Sequence, residues 1–215
     1  MSAIRGFRRT PRGIGAAFDS IQAGVLRRLA KDIEDLMGQR AADEPDTAPA
    51  PHPDTDPLEA LFADFTAGAS TRPDDPVLAR LLPDGYEAAA SEPTDGPGDP
   101  DGPGDPDFDV ETAAADFRRF TEGELRAGKT SNARTIRESL PAGGGSIQLD
   151  DETAVAWLGG LNDMRLALGT ALEVGPDTDR EYARLDPMSS RARRLYLYFW
   201  LGMLQETLID AISDF

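Results

Sequence analysis

Five polar side chains lie close to a predicted apolar helix and are the first candidates for a site. Residues 157–172 repeat apolar side chains at steps of three and four, which predicts an amphipathic helix. The polar residues beside this stripe and on a second predicted helix are Asn162, Asp163, Arg165, Gln205 and Glu206. They could bind a ligand, or form a buried network that fixes helix register, with Arg165 paired to Glu206 or Asp163. The structural network is the favoured interpretation.

Arginines form a second group of candidates because their guanidinium groups could contact phosphates or a protein partner. One cluster lies near the amino terminus, at Arg5, Arg8, Arg9 and Arg12. Another lies on the predicted outer face of a later helix, at Arg118, Arg119 and Arg126. Contacts to DNA phosphates would make binding strongly salt-dependent. The alternative, a solvated face or a partner for the chain's own acidic segment, is favoured for the first cluster.

The sequence gives little support for a metal site, a cofactor site or a catalytic site. The chain has no cysteine, which excludes disulfides, thiolate ligands and thiol nucleophiles. His52, Asp54 and Asp56 are metal-ligand types, but they lie in a predicted linker without a closing ligand. No phosphate-binding glycine loop precedes a helix, and no nucleophile pairs with a base. We therefore expect no metal, no cofactor and no catalytic group.

The negative charge is concentrated in one part of the chain. The formal net charge is −17, yet residues 41–116 alone carry 20 acidic and 2 basic side chains, and all other residues together are nearly neutral. The sequence DGPGDP occurs twice in tandem at 95–106, which predicts a solvated insertion. We expect one domain over 1–215, with 40–56 and 88–107 as disordered acidic insertions.

No segment predicts a membrane span or a secretory signal. The longest apolar run, 195–204, would extend about 15 Å as a helix, against about 30 Å of bilayer core. No apolar region follows the amino-terminal arginines. Together with the absence of cysteine, this indicates a cytoplasmic protein.

The remaining patterns predict a mainly α domain with a small β element. Residues 3–18 place apolar side chains on either side of a Pro-Arg-Gly turn, which predicts a hairpin, and a strand at 146–150 is expected to pair with it. Helices are predicted from Asp19 or Ser20 to about Gly38, at 56–65, at 75–82, at 108–129, at 132–140, over the central apolar stretch and at 191–213. A mobile loop is expected from 175 to 190.

Two of these helices have specific predicted core faces. For the first helix, the core residues are expected to be Ile21, Val25, Leu29, Ile33 and Leu36. For the helix at 108–129, they are Val110, Ala114, Phe117, Phe120 and Leu125, with the arginines and Lys129 facing outwards. The last helix is apolar nearly all round in its first half, so it is expected to be enclosed, as core or at a dimer seam.

Four segments resemble a known family: FRRFTEGELRAGK, DPVLARLLPDGY, WLGGLNDMRLALGTAL and YFWLGMLQETL. They are similar to an actinobacterial family catalogued as a domain of unknown function, whose members include oxidative-stress transcriptional regulators of the AosR type. The resemblance covers most of the chain outside the two predicted insertions. The LNDMRLALG segment with the terminal LQETL is its most specific part, and it marks a family and not a chemistry.

The resemblance implies a non-enzymatic cytosolic regulator that acts on transcription through a σ factor or RNA polymerase, with DNA contact secondary. An alternative is a protein-interaction adaptor linked to Clp proteolysis, without nucleic-acid binding; a homodimer is open in either case. Regulators of this family are thought to sense oxidants through cysteines. Because this chain has none, thiol-based sensing does not carry over.

Overall fold

The computed structural model describes residues 6–43, 71–83 and 110–213. The predicted helix at 56–65, the insertion at 88–107 and nearly all of that at 40–56 lie outside these ranges. The elements in chain order are β1 (Arg8–Thr10), β2 (Gly13–Phe18), α1 (Ser20–Asp43), α2 (Pro76–Leu81), α3 (Val110–Ser139), β3 (Gly145–Leu149), α4 (Asp151–Ala171), α5 (Thr178–Tyr182) and α6 (Ser190–Ser213). The predicted mainly α fold with a small sheet is confirmed.

The three strands form one antiparallel sheet in the order β1-β2-β3. The predicted hairpin is confirmed, with Pro11 and Arg12 in its turn and Arg9 opposite Ile14. The predicted pairing of the later strand is also confirmed, since Ala16 lies opposite Ile147. Alternation along β2 buries Ile14, Ala16 and Phe18 on the side that faces the helices.

Helix α1 begins where its capping residue predicts. The Asp19 carboxylate accepts hydrogen bonds from the backbone N–H groups of Ile21 and Gln22 at 2.9 and 2.8 Å. The helix continues to Asp43, beyond the predicted end at Gly38 and into the first four residues of the predicted linker at 40–56.

The predicted core face of α1 is only partly correct. Ile33 is buried, but the other fully buried apolar positions belong to a neighbouring stripe: Ala23, Leu26, Ala30 and Met37. Ile21, predicted to be in the core, is 75% exposed, and Val25 is only partly buried. The helix therefore has two apolar faces, one in the core and one near its amino terminus that is open to solvent.

Helix α3 is continuous from Val110 to Ser139, so the predicted break into two helices near residue 130 is wrong. The polar residues that suggested a break bond within the helix: the Thr130 hydroxyl donates to the Arg126 carbonyl and that of Thr135 to the Ser131 carbonyl, each at 2.9 Å. Packing continues across the same stretch, because Ile136 lies against Gly160 of α4, where a Cβ atom would come within 2.5 Å of its Cδ1.

The predicted orientation of α3 is wrong over its first half. Ala114 is buried as expected, but Phe120 is 56% exposed and Phe117 and Leu125 are also exposed. Arg118 and Glu122 are buried instead, at 7% and 3% exposure. Apolar spacing selected the wrong side because the face that packs on α1 contains charged residues, and Arg40 of α1 neutralises Glu122 there.

The central helix α4 has the predicted apolar stripe in the core. Ala154, Trp157, Leu161 and Met164 are at most 1% exposed. The Asp150 carboxylate caps the helix by accepting a hydrogen bond from the Thr153 backbone N–H at 2.8 Å. Hydrogen bonds from the side chain and from the backbone of Thr153 lower the pKa of Asp150 below its ordinary value. The helix packs on α2, α3 and α6, and it also contacts α1, β2 and β3.

The last third of the chain contains one element that the sequence did not indicate. Helix α5 lies within the segment predicted to be a mobile loop. In α6, Leu201, Leu204 and Leu208 are buried, but Tyr196 is 51% exposed, so the helix is not enclosed on every side as predicted. Within 6–43, 71–83 and 110–213, no helix combines the length and apolarity needed to span a bilayer.

The loop between α3 and β3 contains a glycine whose backbone conformation and surroundings do not fit a larger residue. Gly144 has a φ of +78°, and a Cβ atom there would lie 2.6–2.7 Å from the backbone of residues 18–20. We expect Gly144→Ala to destabilise the protein by about 2 kcal/mol or more in urea unfolding, from steric overlap and backbone strain. Gly143→Ala is the matched control, since a Cβ atom there meets nothing within 4 Å. Equal stabilities for the two variants would contradict the proposed constraint.

Candidate functional site

The amino-terminal arginines do not form a row of unengaged phosphate ligands. Arg5 lies outside the described residues, and Arg8 and Arg12 are exposed. Arg9 Nη1 donates to Asp151 Oδ1 at 2.6 Å, which joins β1 to the first turn of α4. Part of the cluster therefore stabilises the contact between the sheet and the central helix.

The arginines of α3 have largely structural surroundings. Arg118 is buried, and Arg119 forms an ion pair with Asp116 one turn earlier, at 3.0 Å. Arg126 Nη1 lies 3.9 Å from Glu122 Oε1. Of the three, none resembles an extended, solvent-directed phosphate ligand.

Glu122 is held mainly by a residue that the sequence did not single out. Arg40 of α1 donates from Nε to Glu122 Oε1 at 2.7 Å and from Nη2 to Oε2 at 3.3 Å, and its Nη2 also bonds the Thr71 carbonyl. Both side chains are less than a tenth exposed. This two-bond geometry offsets the cost of removing both charges from water and fixes α1 against α3.

The two arginine clusters do not join into one basic surface. A hydrogen bond of 2.8 Å from the Trp157 Nε1–H to the Ser139 hydroxyl places the carboxyl end of α3 beside the start of α4. Arg9 lies at that same end, on Asp151. Arg126 precedes Ser139 by 13 residues, which span about 20 Å of helix. The hairpin arginines are therefore near one end of α3 and the others are toward its opposite end.

Asp163 of the central helix is buried, and its partner is Lys129 of α3. The Lys129 Nζ donates to Asp163 Oδ1 at 2.6 Å, and Asp163 is 3% exposed. Burial raises the pKa of Asp163 above its ordinary value, while the Lys129 hydrogen bond and charge oppose that rise. The prediction that Lys129 faces outwards is wrong.

Arg165 does not form the predicted ion pair with Asp163 or Glu206. Its Nη1 donates to the Gln205 Oε1 at 3.3 Å, and its guanidinium lies 5.3 Å from the centre of the Tyr198 ring. Gln205 in turn donates to Asn162 Oδ1 at 3.4 Å, which links α4 and α6. Glu206 is exposed. Among the described residues, Arg165 therefore pairs with no buried carboxylate. Substitution of Arg165 would not leave a buried carboxylate without its cation.

A polar pocket adjoins these side chains. Its volume is about 490 Å³, and it lies where α2 and α6 meet the second half of α4. The residues around it include Arg80, Asn162, Arg165, Thr170, Glu173 and Tyr198. Two of the five predicted network residues, Asn162 and Arg165, thus border a solvent-accessible cavity.

A second, larger concavity is apolar. We call it the α1–α6 groove: it has a volume of about 660 Å³ and is bordered by the start of α1, the loop after α5 and the first half of α6. Its apolar lining consists of Ile21, Val25, Tyr182, Pro187, Met188, Ala192, Tyr196, Leu197 and Trp200. Ile21 and Met188 are 75% and 73% exposed. Large apolar side chains this open to solvent are typical of binding surfaces when they are contiguous.

Sequence reasoning missed the groove because its residues come from three separate segments. Ile21 was assigned to the core and Met188 to a mobile loop, although both are apolar residues in otherwise polar surroundings. The candidate metal residues His52, Asp54 and Asp56 lie outside the described residues. Among the residues that the structure describes, no three acidic or histidine side chains converge as a metal site would require.

The Lys129–Asp163 pair gives a prediction for stability. We expect Lys129→Met to destabilise the protein by about 3–5 kcal/mol near neutral pH, because it leaves the buried Asp163 carboxylate without its cation. The double variant Lys129→Met/Asp163→Leu should recover most of that loss, since both charges are absent. Urea unfolding of both single variants and the double variant measures the coupling, and simple additivity would contradict it.

The pH dependence of Lys129→Met provides an independent check. The folded state raises the pKa of Asp163. A raised folded-state pKa contributes stability that is present below the unfolded pKa and is lost as pH rises through the folded pKa. Loss of Lys129 raises the pKa further, so the variant's deficit should be smaller at about pH 4 than at about pH 7.5. A deficit that is the same at both values would contradict the assignment.

Comparison with known proteins gives consistent relatives over nearly the whole chain. Residues 4–212 match the family described as "Domain of unknown function (DUF2017)". The chain is 31% identical over 216 residues to the "Putative oxidative stress regulator AosR" of Mycobacterium leprae, covering 98% of this chain and 89% of the relative. It is 33% identical over 215 residues to the "Oxidative stress regulator AosR" of Mycobacterium tuberculosis, covering 97% and 88%. No solved structure matches. The chain belongs to the DUF2017 family, and its curated relatives are named oxidative stress regulators.

Proposed function

We propose that this protein is a non-enzymatic regulator that controls transcription by binding a protein partner, a σ factor or another RNA polymerase component, in the α1–α6 groove. The observation that carries the proposal is the groove itself, in which Ile21, Met188 and Tyr196 expose apolar surface beside the partly buried Val25 and Leu197. The names of the curated relatives support a regulatory role.

The chemistry of the groove favours a helix from the partner. A long apolar concavity accepts the apolar face of an amphipathic helix. Its border is basic: Arg193 lines the groove, and Arg184 and Arg194 are exposed in the adjacent loop and helix. A partner helix with acidic residues beside its apolar stripe would complement both features.

DNA binding has only a secondary role in this proposal, because several of the candidate arginines are engaged within the protein. Arg9 is paired with Asp151, Arg118 is buried, and Arg126 lies beside the buried Glu122. Each phosphate contact must come from a side chain that can reach the DNA backbone. The described residues therefore support direct protein binding better than a phosphate-contacting surface.

Single substitutions in the groove test the proposal with purified RNA polymerase core and holoenzyme. We expect Ile21→Glu and Met188→Glu each to weaken binding at least about tenfold, because each places a charge in the apolar contact. Val155→Glu is the matched control: Val155 is 60% exposed on α4 and does not line the groove. Biolayer interferometry measures affinity, and thermal unfolding checks that all three variants fold.

Any of four outcomes would contradict the proposal. The first two are that polymerase and its σ factors do not bind the wild-type protein at all, or that the groove and control variants bind equally. Light scattering could reveal a homodimer that Met188→Glu dissociates, which would assign the groove to a second copy. Binding of a Clp-protease adaptor without binding of polymerase would favour the interaction-adaptor alternative.

Measurements of DNA affinity at a series of salt concentrations test the secondary role in DNA binding. If Arg5, Arg8, Arg9 and Arg12 all contacted phosphates, log affinity would fall with log salt at a slope of about −3.6. We expect a shallower slope, because Arg9 is engaged by Asp151. The double variant Arg8→Ala/Arg12→Ala should reduce the remaining DNA affinity. The double variant Arg180→Ala/Arg184→Ala is the control, because it removes the same charge from another part of the protein. A slope of −3.6 or steeper would contradict this expectation.

A further inference from the structure

The polar pocket beside Arg165 has features of a ligand site that its structural role does not require. Its volume of about 490 Å³ lies within the range of small-molecule sites. Three helices contribute to it: Arg80 comes from α2, Arg165 from α4 and Tyr198 from α6. The sequence therefore brings two arginines, 85 positions apart, to the edge of one cavity.

Neither arginine is neutralised by a described carboxylate. Arg165 bonds only the neutral Gln205 amide, at a long 3.3 Å, and Arg80 is exposed on the last turn of α2. Glu173 is the acidic residue that lines the described pocket, but its negative charge also acts on Arg191, whose pKa it helps to raise. The pocket thus carries an excess of positive charge.

The guanidinium of Arg165 retains unused hydrogen-bonding capacity. Its Nε–H is buried and has no acceptor. The group lies against Gly202 of α6, where a Cβ atom would be 3.6 Å from that nitrogen. A buried donor without an acceptor is uncommon in folded proteins. A bound carboxylate or phosphate that drew the guanidinium slightly into the cavity would supply the missing acceptor in a two-bond geometry.

The other walls of the pocket are apolar or small. Leu166 and Val174 line it together with the Tyr198 ring. Gly169 keeps the space beside that ring open, since a Cβ atom there would lie 3.1 Å from Tyr198 Cε2. Asn162 and Thr170 add neutral hydrogen-bonding groups. An inorganic ion would leave the apolar walls unused, so the pocket fits an anionic group joined to a small apolar body.

We propose that this pocket binds a small organic anion whose carboxylate or phosphate lies between Arg80 and Arg165 and whose apolar part packs on Leu166 and Tyr198. The site is distinct from the α1–α6 groove, since Tyr198 and the groove residue Tyr196 project about 160° apart around α6. Its test therefore does not depend on whether the groove binds a partner.

The experiment titrates the full-length protein with four probes: benzoate, phenyl phosphate, inorganic phosphate and neutral benzamide. Calorimetry and nitrogen–proton spectra of the arginine Nε–H groups give affinity and location. We expect benzoate or phenyl phosphate to bind saturably and to shift the Arg165 Nε–H signal. Inorganic phosphate should bind at least about tenfold more weakly and benzamide not at all. The better of the two organic anions identifies the preferred head group.

Two arginine substitutions locate the binding. Arg80→Gln removes one charge from an exposed position and should weaken binding of the preferred probe about tenfold. Arg184→Gln removes the same charge away from the pocket and should leave affinity unchanged. The proposal is overturned if neither organic anion binds saturably at millimolar concentration, if the two variants weaken binding equally, or if benzamide binds as well as benzoate. Arg165→Lys keeps the charge but not the two-bond geometry, and should also weaken binding.

Discussion

The packing around Trp157 is the constraint on which the rest of the structure depends. Its indole is fully buried, with ring centres 5.4 Å from Phe7 and 5.8 Å from Phe18, and the two phenylalanines are 5.9 Å apart. Its Nε1–H meets the Ser139 hydroxyl, so one side chain joins the sheet, α3 and α4. Aromatic clusters of this kind combine a large buried area with specific ring geometry. A small three-stranded sheet, marginal on its own, is stabilised by this contact with a helix.

Local signals in the sequence predicted most of the elements, but not the continuity of α3, the short helix α5 or how the helices face one another. Asp19 caps α1 at its predicted start, and the hairpin and its pairing with β3 follow from alternation and turn residues. The orientation of α3 could not be predicted because its buried face contains Arg118 and Glu122. A hydrophobic pattern treats charges as exposed, whereas Arg40, 82 residues from Glu122, neutralises this one. Only the tertiary fold reveals such a partner.

The same reason explains what was missed in the candidate sites. Among the polar residues of α4, Asn162 and Arg165 each form a hydrogen bond with Gln205. The partner of Arg165 was assigned by charge alone, whereas the buried Asp163 carboxylate pairs with Lys129. The groove was not recognised because its apolar residues are divided among three segments: two come from α1, three from residues 182–188 and four from α6. A surface built from distant segments has no local periodicity to detect.

Helix α6 separates the two cavities and contacts both. The Tyr182 ring, which borders the groove, lies 5.1 Å from Phe199, and Phe199 lies 5.6 Å from Tyr198, which carries the Arg165 guanidinium over its face. Packed interiors transmit displacement because they contain little free volume. A ligand in the polar pocket that moved Arg165 would therefore act on a helix whose other side borders the proposed partner groove. Contact alone is not coupling: the ligand must favour one arrangement of α6 over another. The chain has no cysteine, and the proposed ligand would need only differential affinity for two arrangements of α6, and no redox group, to act as a regulatory signal.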